Sequence, residues 1–334
     1  MRRLEVLMVL GLLACACKGE QPAGNSEVPR PSLPAADPQP QAAEDAPGAV
    51  VAKADGCPIT LRALRNPQPE RLVALGDVHG DLAATTRALR LAGAIDESNA
   101  WIGGKLALVQ TGDILDRGND EPEILNLFVS LQKQAEAVGG AVYRLNGNHE
   151  LMNAMGDFRY VTEEGYRDFA EPGTEAKPLT AEARARAFLP GGSHASRLAQ
   201  FDLVTVVGDT VFVHGGVLPR FVESLEQANR DARCFLAGHL KEPPEAVLDP
   251  EGPLWTRAFS TGDSACEELT ETLDKLGVAR MVVGHTPQLG GVTSACDGKV
   301  WRIDTGMASF YQGPTEVLEI RASEAGASVV RVLK

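Results

Sequence analysis

The sequence predicts an α/β fold, a layered sandwich whose central strands run substantially parallel. Three observations carry that reading. Five short apolar runs, rich in Val and Leu, each end in a cluster of Gly and polar residues. Helical patterns lie between several of the runs, and strands alternating with helices imply parallel pairing. Every polar cluster falls just after its run, where α/β sheets hold their ligands, beyond the carboxyl ends of the strands.

Taken in order, Leu72-Val73-Ala74-Leu75 precedes Gly76, and the run 106–109 precedes Gly112. The run 141–145 leads to Gly147, Val211-Phe212-Val213 to His214, and Met281-Val282-Val283 to Gly284. Runs this short and this apolar read as strands buried on both faces. Residues 82–91 and 124–138 read as helices. A third helix opens with the capping-box pattern Ser264-x-x-Glu267 and sets Cys266, Leu269, Leu273 and Leu276 on one face. Residues 156–200 break the rhythm. They are polar, carry a helix near 181–188, and read either as a cap beside the site or as a surface insertion.

The chain has 334 residues, 44% hydrophobic and 23% charged, an ordinary composition for a globular protein. Its net charge of −13 argues against a general affinity for nucleic acid or anionic lipid, both polyanions. Arg2 and Arg3 precede an apolar run at 6–14 that is too short to span a bilayer. That run leads into Leu12-Leu13-Ala14-Cys15, which resembles a bacterial lipobox. The expected organisation is therefore a signal peptide at 1–14, a lipidated disordered tether at 15–50 and one folded domain at 51–334. The alternative at the first segment is an ordinary signal peptide with an incidental cysteine. Residues 21–49, rich in Pro, Ala and acidic side chains, cannot bury enough apolar surface to offset their ordering entropy. The protein is thus expected to be exported, a lipoprotein of a bacterial envelope touching membrane only through Cys15. Cys57, Cys234, Cys266 and Cys296 would meet an oxidising compartment, and four cysteines allow three pairings that sequence does not resolve.

The chemistry lies in the five polar clusters. They are Gly76-Asp77-Val78-His79-Gly80-Asp81, Gly112-Asp113-Ile114-Leu115-Asp116-Arg117-Gly118, Gly147-Asn148-His149-Glu150, His214-Gly215-Gly216 and Gly284-His285-Thr286-Pro287. One such cluster would be an ordinary core or turn. Five in this order, all at strand ends, point to a metal site. Carboxylate oxygen and imidazole nitrogen suit Mn, Fe or Zn, and the absence of Cys argues against structural zinc. Two divalent ions about 3.5–4 Å apart need a shared ligand, and Asp113 can bridge them. Asp77 and His79 would complete one site; Asn148, His214 and His285 the other. Four positive charges against two carboxylates leave a net cation for a phosphate dianion. They would also lower the pKa of a bridging water enough to give a nucleophile near neutral pH.

These signatures resemble the phosphoprotein phosphatase branch of the calcineurin-like metallophosphoesterases. The longer phrases, Arg144-Leu-Asn-Gly-Asn-His-Glu-Leu-Met-Asn153 and Gly284-His-Thr-Pro-Gln, look most like the bacterial Shewanella-like phosphatases. The resemblance spans roughly residues 71–320. It implies a sandwich of mixed β-sheets flanked by helices, and it implies further roles. His149 would be the general acid, Asp116 its orienting carboxylate and Arg117 a phosphate ligand. Arg257 would be a second phosphate arginine or else a surface residue, and Tyr311 corresponds to the family's active-site tyrosine. Asn146 stands where the eukaryotic Ser/Thr enzymes carry Arg, which fits the Shewanella-like branch better. The expected reaction is hydrolysis of phosphate monoesters on protein or peptide by attack of metal-bound hydroxide. Hydrolysis of dinucleoside polyphosphates or small phosphate esters is the enzymatic alternative, and a non-catalytic binding lipoprotein is the alternative of another class. His194 and His239 lie outside the clusters and read as ordinary residues.

Overall fold

Each of the five predicted runs forms a strand, and its period-two alternation divides it between two cores. In the computed structural model, which describes residues 56–60, 62–167, 169, 181–262, 265–322 and 328–334, these runs lie in two sheets. The expected signal peptide, the tether and Ser264 fall outside those residues.

The strands are β1 (Arg65–Asn66), β2 (Arg71–Leu75), β3 (Ala107–Gln110), β4 (Ala141–Arg144), β5 (Val204–Val207), β6 (Thr210–Val213), β7 (Arg280–Val283), β8 (Thr293–Ala295), β9 (Val300–Arg302), β10 (Val317–Arg321) and β11 (Val329–Leu333). One sheet has the order β11-β10-β2-β3-β4, the other β1-β5-β6-β7-β9-β8. Each contains a parallel triplet. In the first, Leu72 pairs with Ala107 and Ala107 with Ala141; in the second, Thr210 pairs with Arg280 and Met281 with Val300. Antiparallel neighbours border both triplets: β10 beside β2, β5 beside β6 and β8 beside β9. The expected parallel centre is present, and the sheets as wholes are mixed.

Facing sides of the two sheets make one core. Leu72 and Ala74 of β2, Val109 of β3 and Leu318 of β10 meet Phe212 of β6 and Val282 of β7. The alternate residues, among them Val73, Leu75, Leu108, Val211 and Val283, turn outward and bury under helices. Burying each such side chain favours the fold by about 1.5–3 kcal/mol over leaving it exposed. Both faces are therefore apolar, which is why these strands read as continuous runs.

The helices are α1 (Leu82–Leu91), α2 (Glu121–Ala137), α3 (Asn148–Ala154), α4 (Glu163–Arg167), α5 (Ala181–Phe188), α6 (Ser193–Leu198), α7 (Leu225–Leu236), α8 (Glu245–Leu248) and α9 (Cys266–Leu276). Helix α1 matches its expected bounds, with Asp81 accepting from the Ala84 amide as N-cap at 2.7 Å. Helix α2 starts three residues earlier than expected, with Pro122 tolerated in its first turn. Helix α9 begins at Cys266 with Ala265 in the cap position, and Leu269, Leu273 and Leu276 are buried as expected. The disulfides pair Cys57 with Cys234 and Cys266 with Cys296, fastening the segment before β1 to α7 and the start of α9 to the β8–β9 turn.

Candidate metal centre

The carboxyl ends of both parallel triplets open onto one place. Asp77 and His79 follow β2, Asp113 follows β3, Asn148 and His149 follow β4, His214 follows β6 and His285 follows β7. The turns there are tight. Among the described residues, nine non-glycine positions have positive φ, and five of them are His79, Asp113, Asp116, Arg117 and His285. Such backbone is disfavoured by sterics and persists where its surroundings over-determine it, commonly at functional sites. Two glycines serve close approach. A Cβ on Gly147 would sit 2.1 Å from Asp113 Oδ1, and one on Gly284 would sit 2.4 Å from Asp77 Oδ1.

Two sets of three donor atoms converge, His79 with Asp113 and His149, and Asp113 with His214 and His285. Within each set the donors lie within 4.8 Å of one another, and Asp113 belongs to both, as a bridging ligand must. His214 Nε2 lies 2.9 Å from Asn148 Oδ1 and 3.3 Å from Asp113 Oδ1, so a cation, proton or metal, belongs among them. Asp77 accepts the His285 amide at 3.1 Å.

Backbone carbonyls set the histidine tautomers. Nδ1 of His79 lies 3.0 Å from Leu115 O, Nδ1 of His214 lies 3.0 Å from Thr111 O, and Nε2 of His285 lies 3.2 Å from Trp255 O. A carbonyl only accepts, so each of these nitrogens carries hydrogen, and the opposite nitrogen faces the centre. Burial lowers the His79 pKa to about 4, and burial with repulsion from His214 and Arg257 lowers that of His285 to about 2. Both are neutral, the form that ligates.

The carboxylates are crowded. Burial, then Asp304 and Asp113, push the Asp77 carboxyl well above its ordinary range. Burial and Asp113 raise Asp304 to about 6, and its Oδ2 is buried without a hydrogen-bond partner. Asp113 goes the other way: burial opposes its charge, but His214, His149 and His79 outweigh it. Buried carboxylates together with neutral imidazoles and an amide oxygen, and no thiolate, are a donor set that fits borderline divalent ions.

Beside this centre stands a second group. His149 Nδ1 lies 2.6 Å from Asp116 Oδ2, and His149 Nε2 lies 3.2 Å from Arg117 Nη2. Nδ1–H donates to Asp116, and because a guanidinium has no acceptor, Nε2 takes a hydrogen bond from Arg117. Burial opposes its charged form, but Asp113 and Asp116 outweigh burial and raise its pKa. Arg117 is held by aromatics: Nη1 donates to Tyr311 Oη, and the guanidinium lies 4.9 Å from the Tyr160 ring and 5.1 Å from that of Tyr311. Burial pushes the Tyr311 phenol up to about 12. Arg257 donates to His285 O and Thr286 Oγ1 and lines the same cavity of about 190 Å³ with His79, Asn148, His149 and Arg117.

Of the ten site residues expected from sequence, seven line one cavity, and Asp77, Asp116 and His214 hydrogen-bond to His285, His149 and Asn148 of that lining. Asp304 also reaches the site, and Glu150 does more than open a helix. Its carboxylate accepts the amides of Gly147, Asp113, Ile114 and Leu115 at 2.7–3.1 Å, locking the second and third clusters together. Tyr160, Glu121, Asn153 and Arg184 were not foreseen. Asn153 is the one with a sequence signal, since it lies one helical turn from His149 and so on the same face.

Comparison with known proteins agrees with this geometry. The calcineurin-like phosphoesterase family pattern matches residues 70–289. The chain is 38% identical over 305 residues to Shewanella-like protein phosphatase 2 of Arabidopsis thaliana, covering 79% of this chain and 78% of that one. It is 32% identical over 252 residues to Shewanella-like protein phosphatase 1 of Plasmodium berghei, covering 72% and 68% respectively. Among solved structures, it resembles the cold-active protein-tyrosine phosphatase of a psychrophilic Shewanella species at a TM-score of 0.63 and 26% identity, covering 82% of this chain and 83% of that one.

Proposed function

The chain belongs to the calcineurin-like phosphoesterase family and is a metal-dependent phosphoester hydrolase, and from that premise we propose that it hydrolyses phosphate monoesters carried by proteins or peptides. The observation that carries the substrate class is the cavity. At about 190 Å³ it is smaller than the roughly 300–1,000 Å³ of sites that enclose whole small molecules. It accommodates a phosphoryl group and the atoms next to it, and leaves the rest of the substrate on the surface. Phe310, 60% exposed, and Tyr160, 41% exposed, form an apolar rim where a polypeptide can lie. The relatives named above are themselves described as protein phosphatases.

Family and clustered donors point to a dinuclear metal site. Asp77, His79 and Asp113 would hold one ion, and Asp113, Asn148, His214 and His285 the other. When bound, two divalent ions would neutralise phosphoryl oxygens and supply an activated water at neutral pH. The chain's own groups complete the reaction. Arg117 and Arg257 bind and orient the phosphate from the cavity wall. His149 gives its proton to the departing oxygen, and Asp116 holds the imidazole in the tautomer and orientation for that transfer. Tyr311 and Tyr160 fix Arg117 beside the acid.

The test is a substrate panel on the metal-loaded enzyme: phosphoserine, phosphothreonine and phosphotyrosine peptides against nucleotides and dinucleoside polyphosphates. Turnover of peptides is expected. Turnover of nucleotides alone would overturn the substrate class.

Export with a lipid anchor on Cys15 is also part of the proposal. It rests on the lipobox-like Leu12-Leu13-Ala14-Cys15, and the two disulfides fit an oxidising compartment. A mature form that lacks acyl mass and partitions into water would remove the anchor.

A further inference from the structure

The insertion at 156–200 carries one of the largest fully buried side chains among the described residues, and it is a cation. Arg184 on α5 has no exposed surface. Its guanidinium packs against the edge-to-face pair of Phe169 and Phe188, 5.2 and 4.7 Å from their centroids. Nη1 donates to Glu121 Oε2 at 2.6 Å and to Gly165 O at 2.9 Å; Nη2 donates to Glu121 Oε1 at 2.9 Å and to Asp116 Oδ1 at 3.3 Å; Nε donates to Asn153 Oδ1 at 2.7 Å. Every donor of this buried charge is used.

The partners lead to one atom. Asn153 Nδ2 donates both to Asp116 Oδ1, at 3.0 Å, and to the backbone oxygen of His149, at 2.9 Å. Glu121 Oε1 accepts the Asp116 amide at 2.5 Å. Asp116, at φ +68°, is thus held through its backbone and through Oδ1, which leaves Oδ2 to face His149 Nδ1. A solvated carboxylate would rotate freely and offer either oxygen to water. This one is clamped.

We propose that Arg184, with Glu121 and Asn153, is a positioning residue for leaving-group protonation, fixing the Asp116 carboxylate that orients the His149 acid. The inference rests on the phosphatase reading above. In the step concerned, the bond between phosphorus and the leaving oxygen breaks, and that oxygen keeps the electron pair and takes the proton from His149. A bond forms from phosphorus to the oxygen of the attacking water. The water gives up one proton to solvent, and His149 regains one from solvent. Protonation matters most when the leaving group is a poor one. An alkoxide needs the proton, whereas a dinitrophenolate departs without it. Through Arg184 the insertion then contributes to the catalytic apparatus.

The test compares kcat for a phosphoserine peptide with kcat for 2,4-dinitrophenyl phosphate in the manganese-loaded wild type, Arg184→Met, Arg184→Lys and His149→Asn. General-acid catalysis contributes roughly 10²–10⁴-fold. Loss of the clamp should forfeit part of that, about 10–100-fold on the peptide and about threefold or less on the aryl ester. Arg184→Lys, which restores charge without the fork, should fall between. If Arg184→Met does not fold, Arg184→Met with Glu121→Gln removes the cation and one buried carboxylate together and should show the same selectivity. Equal losses on both esters, or none on either, would overturn the inference. A wild type silent on every monoester would instead defeat the phosphatase reading. A His149→Asn enzyme with no leaving-group selectivity would defeat the acid assignment on which the inference depends.

Discussion

The two halves of the site are built on opposite electrostatic plans. The metal half gathers Asp77, Asp113 and Asp304 behind strand ends, and among the described residues its ion-pair contacts are to histidines alone. The acid half sets Asp116 and Glu121 around a buried arginine that the chain supplies itself. The positive charge of one half would come from bound metal, whereas the other carries an arginine of its own. Burial first, then repulsion from neighbouring carboxylates, pushes up the carboxyl groups of Asp77 and Asp304 in the first half, and burial also raises Glu121 in the second, against the pull of Arg184. With their positive charges supplied separately, the two halves should fail independently when perturbed.

The largest effect expected from separating them is chemical. His149→Asn should lower kcat on a phosphoserine peptide by about 10²–10⁴-fold while the protein retains its metal, read by steady-state kinetics with metal analysis of the same sample. Loss of metal from this variant would show that the halves are one unit.

Next in size is stability. Arg184→Met leaves Asp116 and Glu121 buried without their cation, and breaking a buried ion pair on one side costs about 3–5 kcal/mol. Thermal melts should show this loss with and without saturating manganese, because an ion in the metal half cannot stand in for a guanidinium in the other. Recovery of the melt by manganese would mean that the two share charge after all.

The smallest effect concerns the rear of the acid half. His194, expected to be ordinary, lies 4.7 Å from the Phe169 ring and 5.3 Å from that of Phe188, the two rings that pack against Arg184. Burial, then Arg197 and Arg184, lower its pKa from 6.5 to about 4. A depressed folded pKa means the unfolded chain binds the proton first. The stabilising contribution of the neutral ring is therefore full above pH 6.5 and is lost as pH falls toward 4. Melts between pH 7 and 4.5 should fall more steeply for the wild type than for His194→Phe. Parallel curves would place the acid sensitivity elsewhere.

The same division governs what could be read from sequence. Each metal-half residue sits within a few positions of a strand whose two buried faces make it conspicuous, so cluster and strand announce each other. The acid half is assembled across the chain: Glu121 and Arg184 are 63 residues apart, and Asp116 and Arg184 are 68. Helix α5, Ala-Glu-Ala-Arg-Ala-Arg-Ala-Phe, alternates alanine with charged residues and shows no clear apolar face for an arginine to join. Only tertiary packing decides that Arg184, one turn before Phe188, faces inward while Arg186 stays exposed. A helix read from residue 124 leaves Glu121, the first residue of α2, among loop residues. Tyr160 belongs to a polar loop and gains meaning only from the arginine above it. Strands β8 and β9 have three residues each, β11 borders its sheet and interior β10 is interrupted by Glu319, and neither they nor the division into two sheets has a local signature as strong as the five core runs.

The most direct test strips the folded domain of metal with a chelator, then titrates manganese back while following hydrolysis of an aryl phosphate. Turnover should return as two equivalents bind, and Asp113→Asn, which weakens the one ligand shared by both donor sets, should keep the fold and lose the titration. Full turnover in the stripped protein, or an Asp113→Asn variant that binds two ions and turns over as the wild type does, would contradict a dinuclear centre bridged by Asp113.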